Sequence, residues 1–357
     1  MSNPISTPPA FIVSLRNDPN QDGVPGDDFG AAPRYMLAVV PSGDSPTSYS
    51  YSLKQDVGAK AWATRLVSVA ANGPVLIFIH GFDNLAPAVI ARYLAVQSGL
   101  ATAGGGVTVV CFDWPTSDKD QYRGDQQKAI KSGPRLVTDC IDVLTQAGIV
   151  ARNIHVLTHS MGGYVLQNAF AQAQKEPRVG QMLMAEADVQ ELAFDITVND
   201  PPTSALGCFL PWVHGLTVYW SSADAALKYA TVFKDFVGPC GSAAPATPAD
   251  ATRLGEVGLS ASTLASPTCS AKINNVGYAD YYLNLYGPTA SKKLRSDDSH
   301  VWPLLGTAKM PKANGDPHFM QDVWQVLTGA PKYTCRNPSI TNNWTFSTST
   351  PSEMAPK

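Results

Sequence analysis

Ser160 stands between a run of apolar, β-prone residues and a helical pattern in NIHVLTHSMGGYVLQNAF, residues 153–170. A strand ending in Leu157-Thr158, a sharp turn at His159-Ser160-Met161 and two glycines before a helix make a nucleophile elbow. Such a turn holds the serine in a strained backbone conformation with its hydroxyl clear of the sheet. Small residues must follow it, because side chains there would meet the neighbouring strand and helix. The start of the helix adds N–H groups and a positive dipole end. Thr158 replaces the first glycine of G-x-S-x-G, a mild departure. Read alone, the stretch is also compatible with a Ser-Gly turn that merely starts a helix.

A serine hydroxyl is a poor nucleophile without a base, and the base needs an orienting carboxylate. Three histidines follow Ser160: His214, His300 and His318. His214 precedes a predicted strand at the far end of the sheet and reads as structural. His300, in SDDSHVWP, follows the last predicted strand and is preferred as base; His318, in GDPHFMQD, is the alternative. For the acid, Asp224 lies just beyond LTVYW, at a strand C-terminus where catalytic groups of open α/β sheets gather. Asp188, one strand earlier, is its alternative, and either could instead cap a helix. A second element, IFIHGFDN (77–84), offers an oxyanion hole: the N–H of Phe82 together with that of Met161.

The elements that must carry these residues alternate between short apolar runs and helical patterns, the signature of a mostly parallel sheet covered on both faces. FIVSL (11–15), RYMLAVV (34–40), VLIFI (75–79), VTVVCF (107–112), IHVLT (154–158), QMLMAEAD (181–188) and LTVYW (216–220) read as strands, with SYSYSL (48–53) joining the first two. INNVGYA (273–279) reads as the last strand. Residues 85–98, 125–147, 162–175 and 321–329 read as helices, and Ile130, Val137, Ile141, Leu144 and Ala147 form one helical stripe. One domain over 1–335 is expected. Within it, 190–215 reads as a cap whose Phe209, Leu210 and Trp212 wall the substrate, with a surface loop packed on the core as the alternative; 238–271 is a long surface excursion and 336–357 a poorly ordered tail.

Composition bounds the function. Of the 357 residues 44% are hydrophobic and 15% charged, so the chain buries a core. A net charge of −3 without Lys/Arg clusters gives no footing for nucleic acid or anionic membranes. No apolar run is long enough to span a bilayer, and no signal peptide is visible, so a cytoplasmic location is the default expectation. The six cysteines include no CxxC pair, so no zinc site is expected. Cys111 and Cys140 sit in apolar patterns and read as reduced core residues; Cys208, Cys240, Cys269 and Cys335 lie in loops where disulfides are possible. Asp18, Asn20, Asp22 and Gly23 read as turns, with the start of a calcium loop as the alternative.

On these residues the chain resembles an α/β-hydrolase, and more narrowly the bacterial α/β-hydrolases of unknown function. The matching pieces, over roughly residues 72–235, are VLIFIHGFDN, FDWPTSDKDQYRGDQQKA, HVLTHSMGGYVLQNA, MLMAEADVQE and LTVYWSSADAAL. The resemblance implies a Ser160–Asp224–His300 triad, an oxyanion hole at Phe82 and Met161, and a central sheet with a small cap or loop insertion. It also implies that Trp114 and Tyr122 face the mouth of the site, with His159 on the substrate side. The activity expected is hydrolysis of small carboxylic esters through an acyl-enzyme, with no metal or organic cofactor. Amide or thioester hydrolysis, acyl transfer and a non-catalytic binding module are the alternatives. A dehalogenase is disfavoured, since that chemistry needs a carboxylate where Ser160 stands.

Overall fold

The fold is taken from a computed structural model, which describes residues 9–38, 51–117, 121–170, 176–194, 209–230, 252–266, 272–286, 300–301, 303–304, 306–307, 310–311, 315–329, 336–340 and 343–346. Ten strands form one sheet: β1 (Ala10–Arg16), β2 (Phe29–Ala38), β3 (Val75–Ile79), β4 (Thr108–Asp113), β5 (Ile154–His159), β6 (Val179–Ala185), β7 (Val213–Trp220), β8 (Ile273–Gly277), β11 (Arg336–Ile340) and β12 (Asn343–Phe346). Their order is β11-β12-β8-β7-β6-β5-β3-β4-β1-β2. The pairs β1–β2 and β11–β12 are antiparallel and the other pairs parallel. A separate two-stranded ribbon joins β9 (Gly306–Thr307) and β10 (Met310–Pro311).

The strands are near-continuous apolar runs because both faces are covered. Along β3, Val75, Ile77 and Ile79 enter one core, and Leu76 and Phe78 the other, as the two-residue period requires. The first core is roofed by α1 (Ala59–Ala70), α3 (Tyr122–Leu136), which runs through a π turn at Val137–Ile141 into α4 (Asp142–Gln146), and α5 (Gly162–Ala169). The second is roofed by α2 (Ala86–Ala103), α9 (Ala279–Tyr286) and α10 (Pro317–Thr328). Short helices α6 (Ala225–Ala230), α7 (Leu254–Val257) and α8 (Ala261–Ala265) follow β7. No helix among the described residues is long and apolar enough to cross a membrane.

Several expectations change. Residues 59–70 form a helix that the apolar pattern did not announce, with Trp62 and Leu66 fully buried. INNVG is not the last strand: Arg336–Ile340 and Asn343–Phe346, expected as tail, add two more and bury Phe346. The excursion expected over 238–271 is no surface loop at 252–258. There Arg253 and Leu254 are buried, and the N–H groups of Leu254 and Gly255 donate to the carbonyls of Val189 and Ala187. Of the expected cap, 195–208 lies outside the described residues. Phe209, Leu210 and Trp212 are core instead of substrate wall, with Trp212 stacked on Phe170 at 4.5 Å. Cys111 and Cys140 are free and buried; the other four cysteines lie outside the described residues.

Candidate active site

Ser160 follows β5 at φ 54°, a left-handed conformation that costs a non-glycine residue roughly 1–3 kcal/mol. Three hydrogen bonds lock it: its N–H donates to Ala185, and its carbonyl accepts from Gly163 and Asp188. Two glycines make room. A Cβ on Gly162 would stand 2.7 Å from the Ile79 carbonyl, and one on Gly81 would stand 2.7 Å from the Ser160 Cβ. The HGF loop therefore abuts the elbow, as adjacency of β3 and β5 requires. No group among the described residues accepts from the N–H of Phe82 or Met161.

The sheet brings Asp224 and His300 together. Asp224 closes the turn after β7, its N–H on the Ser221 carbonyl, and one of its carboxylate oxygens accepts from the Leu227 N–H at the start of α6. The other accepts from Nδ1–H of His300 at 2.7 Å. Burial alone would lower the His300 imidazole, but the charge and hydrogen bond of Asp224 override it and raise the pKa above the ordinary value. The His300 ring lies 4.7 Å from that of His159, the residue before Ser160.

The alternatives are engaged elsewhere. Asp188 accepts from the Tyr122 hydroxyl at 2.5 Å and lies 3.1 Å from Arg253 Nε. His318 sits in the first turn of α10 with Nδ1 2.8 Å from the Tyr281 hydroxyl, in the second core. His214 is exposed at the start of β7, the opposite end of the sheet.

Two residues expected at the substrate side are not there. Trp114 is fully buried, stacked on His80 at 5.4 Å with its indole N–H on the His80 carbonyl. His159 is 2% exposed and packs under His300, with Nε2 2.8 Å from the His300 carbonyl oxygen. Tyr122 is half-buried, edge-on to Phe82 at 5.4 Å.

Sequence reasoning missed the network that holds the HGF loop. Asp113 accepts from Arg16 Nε, from His80 Nε2–H, and from the hydroxyls of Tyr51 and Ser14. The Arg16 guanidinium continues to the carbonyls of Asn84, Thr116 and Gly26. Burial would raise the Asp113 carboxyl, yet Arg16 and these donors hold it well below the usual range. A signal existed: Arg16 and Asp113 are lone charges ending two apolar runs, FIVSLR and VTVVCFD. Glu186, at φ 47° and fully buried, was missed too.

Among the described residues one grouping has metal-ligand chemistry: donor atoms of His159, Glu186 and His300 lie within 4.8 Å of one another. In it His159 Nε2 is engaged by the His300 carbonyl and His300 Nδ1 by Asp224. At the candidate calcium loop, the Asp18 carboxylate accepts from the Gly23 N–H and that of Asp22 from the Val24 N–H, both turn contacts.

A family model described as alpha/beta hydrolase of unknown function (DUF900) matches residues 55–283. No curated protein matches the sequence. Two solved structures are similar. One is a hyperthermophilic esterase from the archaeon Pyrobaculum calidifontis, at 14% identity over 42% of this chain and 57% of its own, with a TM-score of 0.26. The chain thus spans little more than half the length of that esterase. The other is lipase B of Aspergillus fumigatus, at 14% identity over 88% of this chain and 73% of its own, with a TM-score of 0.32.

Proposed function

The chain belongs to the alpha/beta hydrolases of unknown function, and on that footing we propose that it is a serine hydrolase cleaving carboxylic esters through an acyl-enzyme on Ser160. The observation that carries the reading is the 2.7 Å bond between His300 Nδ1 and Asp224, with the His300 ring 4.7 Å from that of His159, the residue before a serine held at φ 54°.

His300 takes the Ser160 proton through Nε2, the nitrogen Asp224 leaves over, while the serine oxygen attacks the ester carbonyl carbon. The oxyanion receives the N–H groups of Phe82 and Met161, worth on the order of 3–4 kcal/mol per donor. Asp224 stabilises the imidazolium, which gives its proton to the departing alcohol. Water, deprotonated by His300, then attacks the acyl carbon and Ser160 leaves with the proton restored. The scheme calls for no metal or organic cofactor. A short-chain or aromatic ester is the proposed substrate class. Phe82 and Tyr122, paired edge to face next to Gly81, support an apolar acyl side.

The test is intact mass after treatment with a fluorophosphonate on wild type, Ser160→Ala and His300→Ala, with turnover of p-nitrophenyl acetate and butyrate alongside. One adduct on wild type, absent in both variants, with ester turnover lost in step, is the expected result. No adduct on wild type would sink the reading in favour of a binding module. Labelling that survives His300→Ala would remove His300 as base.

A further inference from the structure

We propose that His159 is a positioning residue: its Nε2–H holds the main-chain carbonyl of His300 and so keeps the base in place over Ser160. This rests on the hydrolase reading above and adds to it a residue that the reading does not require.

Three observations carry it. First, His159 Nε2 lies 2.8 Å from the carbonyl oxygen of His300, with the two rings 4.7 Å apart. A carbonyl only accepts, so that nitrogen carries the proton. Second, Nδ1 of His159 is buried and meets no hydrogen-bond partner among the described residues, as suits a bare lone pair in a neutral ring. The opposite tautomer would bury an unpaired N–H and strip the His300 carbonyl of its donor, at a cost of roughly 1–3 kcal/mol for each group. Third, Glu186 lies 3.3 Å from His159 Nε2. Burial, with the nearby charge of Asp224, raises its carboxyl well above the usual carboxylate range, while burial, His300, Arg92 and His80 hold the His159 imidazole below its ordinary value. An ionised Glu186 would be the stronger acceptor and would draw the N–H away from the carbonyl. Tyr278 also faces Glu186, and burial pushes its hydroxyl well above the ordinary phenol range.

His300 is thereby gripped at two points, the ring by Asp224 and the main chain by His159. His159 is the last residue of β5, the strand that delivers Ser160. One side chain therefore ties the base to the strand that carries the nucleophile. A displacement of 1 Å at such a site can cost about a hundredfold in rate.

The experiment compares His159→Leu, which removes the donor, with His159→Gln, which keeps an N–H of similar reach. Active sites are counted by fluorophosphonate labelling. In His159→Leu, kcat per active site should fall on the order of a hundredfold with KM near wild type. His159→Gln should recover to within about tenfold of wild type, because a hydrogen bond and not an imidazole is what the carbonyl needs. Unchanged kcat in His159→Leu, or a glutamine variant no better than the leucine one, overturns the proposal. Should the leucine variant fail to fold, nitrogen-15 histidine NMR of the wild type decides, through the range of pH where it is active. An Nε2–H tautomer supports the contact, and an Nδ1–H tautomer overturns it. Failure of the hydrolase reading is seen separately, as absence of a phosphonate adduct on the wild type.

Discussion

Arg16 and Asp113 lie on the β1–β4 side of the elbow, Arg253 and Asp188 on the side of β6, and both pairs are buried. In the first, Arg16 Nε reaches both carboxylate oxygens, at 2.8 and 3.0 Å, and the carboxylate collects three further donors. In the second, Nε stands 3.1 Å from one oxygen without hydrogen-bond alignment, and the other oxygen accepts from the Tyr122 hydroxyl. The electrostatic outcomes are opposite. Asp113 is held well below the usual carboxylate range, whereas burial outweighs Arg253 and raises Asp188. The same pair of residue types can therefore be a rigid brace or a looser clasp, depending on how many donors surround the carboxylate. The brace holds the HGF loop; the clasp seats segment 252–258, drawn from late in the chain, against the end of β6.

A change at Asp224, another buried carboxylate at this end of the sheet, sets the scale for both pairs. Asp224→Asn should lower ester turnover by about 10⁴-fold with little change in KM, as loss of the orienting acid does in serine hydrolases. Asp224 is the cause that raises His300, so its removal lowers that pKa. The acid limb of kcat/KM against pH should move to lower pH. A variant of Asp188 that cost as much would exchange the roles of the two acids.

Breaking the brace comes next. Asp113→Asn leaves Arg16 buried without its carboxylate, which should cost about 3–5 kcal/mol in denaturant unfolding. It should also cost roughly a hundredfold in kcat through the displaced HGF loop. A depressed folded pKa contributes stability that is present above the unfolded value, near 3.9, and is lost as pH falls through the folded one. The deficit of the variant should therefore be largest at neutral pH and narrow in acid. A deficit independent of pH would remove the brace from the comparison.

The clasp should yield less. Asp188→Asn should cost about 1–3 kcal/mol, since Arg253 keeps the Tyr164 hydroxyl and the Ala230 carbonyl as acceptors. Here the sign reverses. A raised folded pKa contributes stability present below about 3.9 and lost as pH rises through the folded value. The deficit should shrink, not grow, from acid to neutral pH, and turnover should stay within about tenfold of wild type. Equal and parallel pH profiles for Asp113→Asn and Asp188→Asn would erase the distinction.

The two sides of the elbow also differ in how far they can be read in one dimension. From VLIFIHG to LTVYWSS the strands and the proposed site residues are contiguous: an apolar run ends, and the candidate residue follows within four positions. The places of Ser160, Phe82 and Asp224, just beyond strand ends, were legible for that reason. The pairing of His300 with Asp224 was anticipated only from chain order, and His159, read as lying on the substrate side, is buried against His300 because a residue beside Ser160 in sequence need not share its direction. Arg253 was hidden because its stretch reads as Gly/Ala/Ser/Thr loop, and burial there comes from main-chain bonds to Val189 and Ala187, which leave no apolar period. The strands β11 and β12 were hidden likewise, in a segment whose composition suggested no packing. Trp114 misled in the other direction, since an aromatic after a strand looks like a pocket wall until its stacking on His80 is seen.

The smallest effect belongs to the histidine that sequence order left as rival base. His318 lies away from both pairs, its N–H on the Asp316 carboxylate that caps α10 and its ring against Tyr281 at 4.5 Å. Replacement by glutamine keeps the main-chain cap and an amide able to meet the Tyr281 hydroxyl. One neutral side-chain hydrogen bond is worth about 1 kcal/mol, so His318→Gln should lower unfolding free energy by roughly that much or less. Its ester turnover and phosphonate labelling should match the wild type, because His318 belongs to the core on the α2–α10 face and touches neither the brace nor the clasp. Turnover falling in step with His300→Ala would instead make His318 the base. The Asp224–His300 bond would then be a structural contact like the one His318 makes with Tyr281.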